Sequence, residues 1–553
     1  MKVEKEPVMS GRDTVVYYLL CFVGLTSVGV FGLWWFRPEH VPHNFAGNAH
    51  YFDFSLFAIV TYVVWISIIN GLFFWYVLYF MKRPKYISPE ENKRVALLTA
   101  FVPGKEPYDI LENTLKAMTG VDYPHETWLL DEGDEEKARE LCRLYGVKHY
   151  SRKGIAKYNT PIGMYKAKTK AGNYNSWYDL NGKKYDFVAQ IDVDFVPKKN
   201  FLTRTLGYFR DPQVAFVGSP QIYGNLKDSW IVHGAAEQAY GFFGPMQKGF
   251  YGMDMQLFIG ANHIVREAAH NDINGYSGHI VEDHLTGMRF YANKWKSVYV
   301  PEILAVGEGP ASWDAYFNQQ MRWAYGLIDI LFYQSPRLFL KMRLRHIINY
   351  FLLQQYYFYG LAQVLGILLL SMYFVFGIES TAMVLWELLL LYPTVILIQE
   401  IIYLWSQKFN IDPSSESGFM IRAKFLNLAA WPIYFIAFME ALMRKKLTYI
   451  VTPKGIEQKK EYIPMKLFLP HFILGSITFF DIYISIATHN QALQLLFWAY
   501  LNTFAMYYFT LSAILKNIFL KIEKLNLNPP SPSRLLGAGG FLFKRTAGKS
   551  DRI

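Results

Sequence analysis

Long uninterrupted apolar runs stand at both ends of the chain, and between them short apolar segments recur among charges. Residues 14–36, "TVVYYLLCFVGLTSVGVFGLWWF", carry no charge and are long enough to cross about 30 Å of hydrocarbon. Residues 54–81 form a second such run, closed by "KRPK". From about 92 to 330 the pattern changes. "RVALLTAFV", "TWLLD", "VKHY", "DFVAQID", "VAFVG" and "SVYV" are short enough for buried strands and alternate with charged stretches of helical character. That alternation predicts an α/β sheet with helices on its faces. Apolar runs return at 346–377, 382–405, 467–487 and 491–515, and the Pro/Ser/Gly-rich tail from 525 is predicted to be disordered. No internal repeat is visible.

Composition agrees with a soluble part joined to a membrane part: 52% of the 553 residues are hydrophobic and 18% are charged. The net charge of +11 fits Lys and Arg gathered on the cytoplasmic face better than nucleic-acid binding. Cys21 and Cys142 lie far apart and define neither a disulfide framework nor a metal-binding pair. The first apolar run exceeds a signal-peptide core. Residues 420–443 are apolar enough to span, but a crossing there would put "RKK" at 444–446 outside, so an interfacial helix is predicted. The expected organisation is a two-span membrane region over 1–85, a cytoplasmic α/β domain over 86–335, a four-span region with an interfacial helix over 336–520, and a tail over 521–553.

Chemistry-bearing residues gather at strand ends. "AQIDVDFVP" sets Asp192 and Asp194 after an apolar strand and on one side of the chain, where they could hold a divalent cation against a diphosphate; a solvated turn is the plain alternative. "TWLLDEGD" repeats the design with Asp131, whose carboxylate could meet a base or ribose, or form part of an acidic helix start. "KTKAGNYN" offers Lys168 and Lys170 as phosphate charges beside a small Gly172 and Asn173. "GHIVEDHLTG" offers Glu282 and Asp283, either of which could be a general base or a helix cap. "QQMRWAYG", residues 319–326, puts Gln319, Arg322 and Trp323 on one helical face, an arginine to grip phosphate and an indole to stack on a sugar; a membrane-interface helix would also use Arg and Trp.

Taken in order, these motifs resemble the processive family 2 glycosyltransferases, and among them the catalytic subunits of bacterial cellulose synthases. "YIVTPKG", with Tyr449, Val451, Thr452 and Lys454, looks like the FxVTxK gating loop of those subunits. The resemblance implies a GT-A-like, Rossmann-like mixed sheet inserted between transmembrane helices, with interfacial helices. It implies a UDP-sugar donor, UDP-glucose first, and Mg2+ or Mn2+. It assigns Asp283 as the catalytic base and Asp194 as the metal ligand. Asp131, Lys170, Asn173, Asp192, Arg322, Thr452 and Lys454 would contact the nucleotide, and Glu282, Gln319 and Trp323 the acceptor. The expected partners are the donor, the growing polysaccharide, the lipid bilayer and an accessory secretion subunit, with no nucleic acid, at the plasma (inner) membrane.

The chain also departs from that pattern. Val102-Pro103-Gly104-Lys105-Glu106-Pro107 replaces Thr-Tyr-Asn-Glu-Pro, Glu132 replaces the second acid of Asp-Asp-Gly, Leu257-Phe258-Ile259-Gly260-Ala261 replaces Phe-Phe-Cys-Gly-Ser, and Val281 replaces the Thr of Thr-Glu-Asp. These changes leave β-1,3- or mixed-linkage glucan, mannan and hyaluronan- or chitin-type products open. A non-processive enzyme acting on a lipid acceptor, or a transporter with a regulatory nucleotide domain, are the other classes. Against the transporter, the apolar runs hold no cluster of charges, and Glu400 is the one acid singled out.

Overall fold

The computed structural model describes residues 1–445, 447, 462–489 and 492–524. Its centre is a seven-stranded mixed sheet in the order Lys296–Tyr299, Val214–Gly218, His263–Arg266, Phe187–Gln190, Val95–Phe101, Glu126–Asp131, Lys148–Tyr150. Six of these strands are the six segments expected from sequence. Val95–Phe101 and Phe187–Gln190 are buried almost throughout, as parallel strands covered on both faces must be. The expected α/β mixed sheet between apolar helices is present.

The seventh strand, His263–Arg266, runs antiparallel to both neighbours and was not expected. Only Ile264 and Val265 are apolar in it, too short a run to stand out. Arg266 completes the strand through packing, donating to the carbonyls of Phe209 (2.7 Å), Asp211 (3.0 Å) and Val214 (2.9 Å). Because the strand is reversed, its first residue, His263, lies opposite the last residue of its neighbour, Gln190. A smaller sheet of Val196–Pro197, Ala305–Gly307 and Ile222–Tyr223 continues beyond Asp194.

Seven helical stretches are long and apolar enough to cross a membrane: Gly11–Trp35, Gly47–Tyr79, Leu344–Phe376, Trp386–Phe409, Ile421–Leu442, Met465–Ala487 and Leu495–Lys521. Ile421–Leu442 is long and apolar enough to span, and it packs both against helices Trp230–Gly241 and Trp313–Tyr333 of the α/β domain and against the apolar helix Tyr359–Phe376. Arg422 pairs with Glu237 (2.7 Å), and the Tyr434 hydroxyl donates to Gln320 (2.9 Å). Leu344–Phe376 is two α-helices, Leu344–Gln354 and Tyr359–Phe376, joined by a 3-10 helical segment over Gln355–Phe358. Glu400 is not the only acid in these helices: Asp481, buried in Leu469–Ala487, accepts a hydrogen bond from Ser371 Oγ (2.9 Å). Glu400 itself pairs with Lys424 (2.5 Å).

The α/β domain is seated on the second apolar helix by contact between backbones. A Cβ on Gly249 would lie 2.3 Å from the carbonyl oxygen of Val77, and one on Gly252 would lie 1.6 Å from that of Phe80. An N-terminal strap reinforces the seat: Lys5–Pro7 pairs with Lys82–Pro84, and Lys5 Nζ donates to Tyr251 O and Asp254 Oδ1, both at 2.6 Å. Gly252→Val is therefore expected to destabilise the protein by about 1–3 kcal/mol through overpacking. Thermal unfolding in detergent should show a clear drop in Tm, whereas Gly11→Ala, with nothing within 4 Å of the new methyl, should be silent.

Candidate functional site

The carboxyl end of strand Phe187–Gln190 opens directly into Ile191-Asp192-Val193-Asp194, so the two acids leave the sheet at its edge. Asp194 is 8% exposed. The ammonium of Lys170 makes a short ion pair with Asp192 and donates to the carbonyl of Gly260 at 2.5 Å. Burial opposes the charge on Lys170, but Asp192, Tyr174 and Glu282 outweigh it and hold its pKa above the ordinary value. Lys170 opens helix Lys170–Asn181, capped by Thr169, whose hydroxyl accepts from the Gly172 N–H (3.1 Å). Gly172 is demanded by space: a Cβ there would meet the Lys166 carbonyl at 2.2 Å. Asn173 is buried and donates to the carbonyl of Leu130 (3.3 Å), linking this helix to strand Glu126–Asp131.

Asp131, at the end of that strand, is fully buried. Its carboxylate accepts from the backbone N–H of Gly133 (2.9 Å) and Glu135 (2.7 Å) and contacts His149 (3.2 Å), so its observed work is to hold the turn. Asp131, Asp134 and His149 place ligand atoms within 4.8 Å of one another, but Asp134 already pairs with Arg139 (2.6 Å). The replacement of Asp by Glu at 132 has a physical reason here. The longer side chain reaches Arg152, which is 1% exposed, through two bonds of 3.0 and 2.7 Å. Arg152 in turn binds the carbonyls of Tyr158 (2.9 Å), Lys166 (3.1 Å) and Thr169 (3.1 Å), and so shapes the loop leading to Lys170. Pro103, in the segment that departs from the family pattern, lies over Gly133, where a Cβ would approach it to 2.5 Å.

The opposite wall is built by two helices. Glu282–Ala292 starts at Val281, and Glu282 and Asp283 occupy its first turn. Neither is the N-cap, and Asp283 Oδ1 accepts from the N–H of His284 (2.7 Å). Asp283 Oδ2 lies 3.3 Å from the Cβ position of Gly260, whose carbonyl also holds Lys170. Helix Trp313–Tyr333 carries Gln319, Arg322 and Trp323. It approaches because Gly326 has no side chain: a Cβ there would sit 2.5 Å from Val281 Cγ2. Val281, in place of the family's Thr, is thus the apolar knob that fits against Gly326 and sets the acids near Arg322. Trp323 packs partly buried across two cores.

Electrostatics separate the two neighbouring acids. Burial raises the Glu282 pKa to about 7, with the charge of Asp283 adding to it. Burial also raises Asp283, but the His284 N–H, Arg322 and Lys170 restrain the shift. His263 is pushed down to about 3 by burial and by Lys170, so its imidazole is neutral.

The structure brings Lys170, Glu282 and Asp283 together about one small cleft, with Asp192 paired to Lys170 and Arg322 in electrostatic range of both acids, while Asp194 and Gln319 lie near Tyr223 on the Arg322 side. Asp131 and Asn173 lie behind it as supports, and Thr452 and Lys454 fall outside the described residues. Sequence reasoning passed over several residues of the cleft. Tyr174, Gln190, Phe258, His263 and Tyr276 line it. Tyr223 faces Gln319, Asp194 and Arg322, and burial raises its hydroxyl to about 12. Only Tyr223, beside a Gly in "QIYGN", offered a local signal; the others are ordinary core residues by pattern.

Residues 187–398 match the family model "Glycosyl transferase family group 2". A cellulose synthase catalytic subunit [UDP-forming] of Xanthomonas axonopodis pv. citri is 24% identical over 308 residues, covering 54% of this chain and 40% of that protein. A probable glucomannan 4-beta-mannosyltransferase of Arabidopsis thaliana is 27% identical over 294 residues, covering 49% of this chain and 52% of that one. The chain spans about half the length of these curated relatives, or less. A mannosyltransferase from Pyrobaculum calidifontis in complex with GDP-Man and Mn2+ superposes over 71% of this chain and all of that one, with 14% identity and a TM-score of 0.45, too low to bear on function. The chain carries a glycosyl transferase family 2 domain. Several cellulose synthase catalytic subunits are its homologues, at low identity over about half of its length.

The fit between Gly326 and Val281 yields a test by double-mutant cycle. Gly326→Ala should cost about 1–3 kcal/mol by overpacking. Val281→Ala should cost about 1 kcal/mol alone, as a small buried truncation. Combined, the two should be less destabilising than the sum of the singles in thermal unfolding, since the second makes room for the first.

Proposed function

We propose that the chain is a membrane-embedded, inverting and processive glycosyltransferase. It draws on a UDP-sugar, UDP-glucose first, and builds a β-linked polysaccharide that leaves between its own membrane helices. The single observation that carries this reading is the convergence of Asp283 with Lys170 and its partner Asp192 at the sheet's carboxyl edge, with Arg322 in electrostatic range. The names of the relatives support both the UDP-linked donor and a β-linked product, and the glucomannan enzyme keeps mannan among the alternatives.

Asp283 takes the proton of an acceptor hydroxyl, whose oxygen attacks the anomeric carbon from the face opposite UDP as the bond between sugar and diphosphate breaks. Arg322 and Lys170 stabilise the charge that develops on the departing diphosphate. Trp323 gives the acceptor sugar a flat surface, and Gln319 orients it. The donor set at Asp192 and Asp194 is all oxygen, which suits Mg2+ or Mn2+. Asp194 is the acid proposed to hold that ion, which would supply further neutralisation of the diphosphate. Thr452 and Lys454 would close over the nucleotide from the cytoplasmic side. Lys and Arg at 82–85 and 444–446 support a cytoplasmic domain, an inner-membrane location and an interfacial helix at 420–443.

Incubating the purified full chain with labelled UDP-glucose and GDP-mannose, then sizing the product and digesting it with linkage-specific glucanases and mannanases, tests the proposal. A long, glucanase-sensitive polymer is expected; a short product bound to lipid would overturn processivity. Asp283→Asn should lower turnover by about 10²–10⁴-fold with nucleotide binding preserved. Asp194→Asn should instead raise the metal concentration needed for half-maximal rate.

The raised pKa of Glu282 gives a pH signature. Below about 7 the side chain is neutral, and above it the cleft gains a negative charge next to the diphosphate site. The donor KM should therefore rise severalfold as pH increases through 7, and Glu282→Gln should remove that rise. A KM equally pH-dependent in the variant would refute the assignment.

A further inference from the structure

The helix of the candidate site, Trp313–Tyr333, does not pass directly into the next apolar helix. A short helix, Ser335–Phe339, and an elbow follow it, and helix Leu344–Gln354 begins only after Arg343 as N-cap. On this elbow Arg337, Lys341 and Arg343 are all exposed, and none forms an ion pair among the described residues. The acid in electrostatic range of Arg343 is Asp254, already engaged by Lys5 (2.6 Å) and, at 3.9 Å, by Arg345. Lys294 adds a fourth exposed ammonium, donating to the carbonyl of Lys341.

Large apolar side chains are exposed among these cations. Leu340 is 88% exposed and Leu344 is 71% exposed. Leu344, Ile348 and Phe351 follow at helical spacing on one face of Leu344–Gln354, while His346, Asn349 and Tyr350 on the other face are buried. A basic run without apolar exposure would suit a soluble anion, and a leucine face without charge would suit any lipid. Their combination, at the foot of a stretch apolar enough to cross a membrane, fits one occupant.

We propose that the elbow 335–344 is a binding site for anionic phospholipid. Leu340 and Leu344 enter the acyl boundary, and Arg337, Lys341, Arg343 and Lys294 hold the headgroup phosphates. Since the elbow is the direct continuation of the helix carrying Arg322 and Trp323, lipid bound there fixes the depth at which that helix lies against the bilayer. The site is independent of the sugar and linkage assigned above and is read by binding, so its failure and the failure of the enzymatic proposal are distinguishable.

The test uses the full chain in neutral detergent, titrated with phosphatidylglycerol, phosphatidylcholine or inorganic phosphate, with bound lipid counted by native mass spectrometry. Phosphatidylglycerol should bind at least roughly tenfold more tightly than phosphatidylcholine, with affinity falling as salt rises. The combined Arg337→Gln, Lys341→Gln and Arg343→Gln variant should weaken it by roughly 100-fold, about fivefold for each charge. Leu340→Ser should weaken phosphatidylglycerol alone. Equal binding of the two lipids by the unaltered protein overturns the proposal even if the triple variant does not fold. Displacement of the lipid by inorganic phosphate also overturns it, since that would make the elbow a simple anion site.

Discussion

Carboxylates crowd one another at the edge of the central sheet, and the fold must place cations close enough to make that crowding tolerable. Asp192 and Asp194 arrive from a strand end, Glu282 and Asp283 from a helix start, and mutual repulsion would drive them to take up protons. Lys170 and Arg322 are the counterweights. Neither is placed by its own element alone. Lys170 depends on Arg152, a buried guanidinium that organises the loop before it through three carbonyls and is itself held by Glu132. Arg322 depends on the depth to which its helix sinks against Val281, which a single glycine decides.

This dependence explains two departures from the family pattern that look like losses in sequence. Glu132 and Val281 replace residues expected to be polar and shorter, or polar and hydroxylated. In the fold, each answers to a neighbour far along the chain, Arg152 in one case and Gly326 in the other. The substitutions alter how the cleft is supported while the groups that face it stay in place.

Much of the architecture could be read from the chain because its signals are long or repeated. Apolar runs of twenty residues and short apolar strands of up to seven announce themselves, and acids directly after such strands mark the edge where ligands bind. What escaped was set by tertiary contact. The reversed strand His263–Arg266 has two apolar residues and owes its place to Arg266 reaching three carbonyls. Tyr223 comes to Arg322 and Asp194 only through a two-residue strand. Asp481 was hidden because a single acid scarcely alters the hydropathy of the span that contains it. The 3-10 segment Gln355–Phe358 inside Leu344–Phe376 was equally silent, since both halves are apolar.

The contact of Gly249 and Gly252 with the carbonyls of Val77 and Phe80 has a consequence for how this architecture can change. Backbone meets backbone there, so the two surfaces have no side-chain layer with which to absorb a mismatch. A catalytic domain exchanged between two such proteins would carry its own glycine pair and meet a helix end shaped for another. The natural unit of exchange is therefore the domain together with the last turn of its supporting helix and the strap at Lys5–Pro7, rather than the soluble portion that sequence hydropathy marks out.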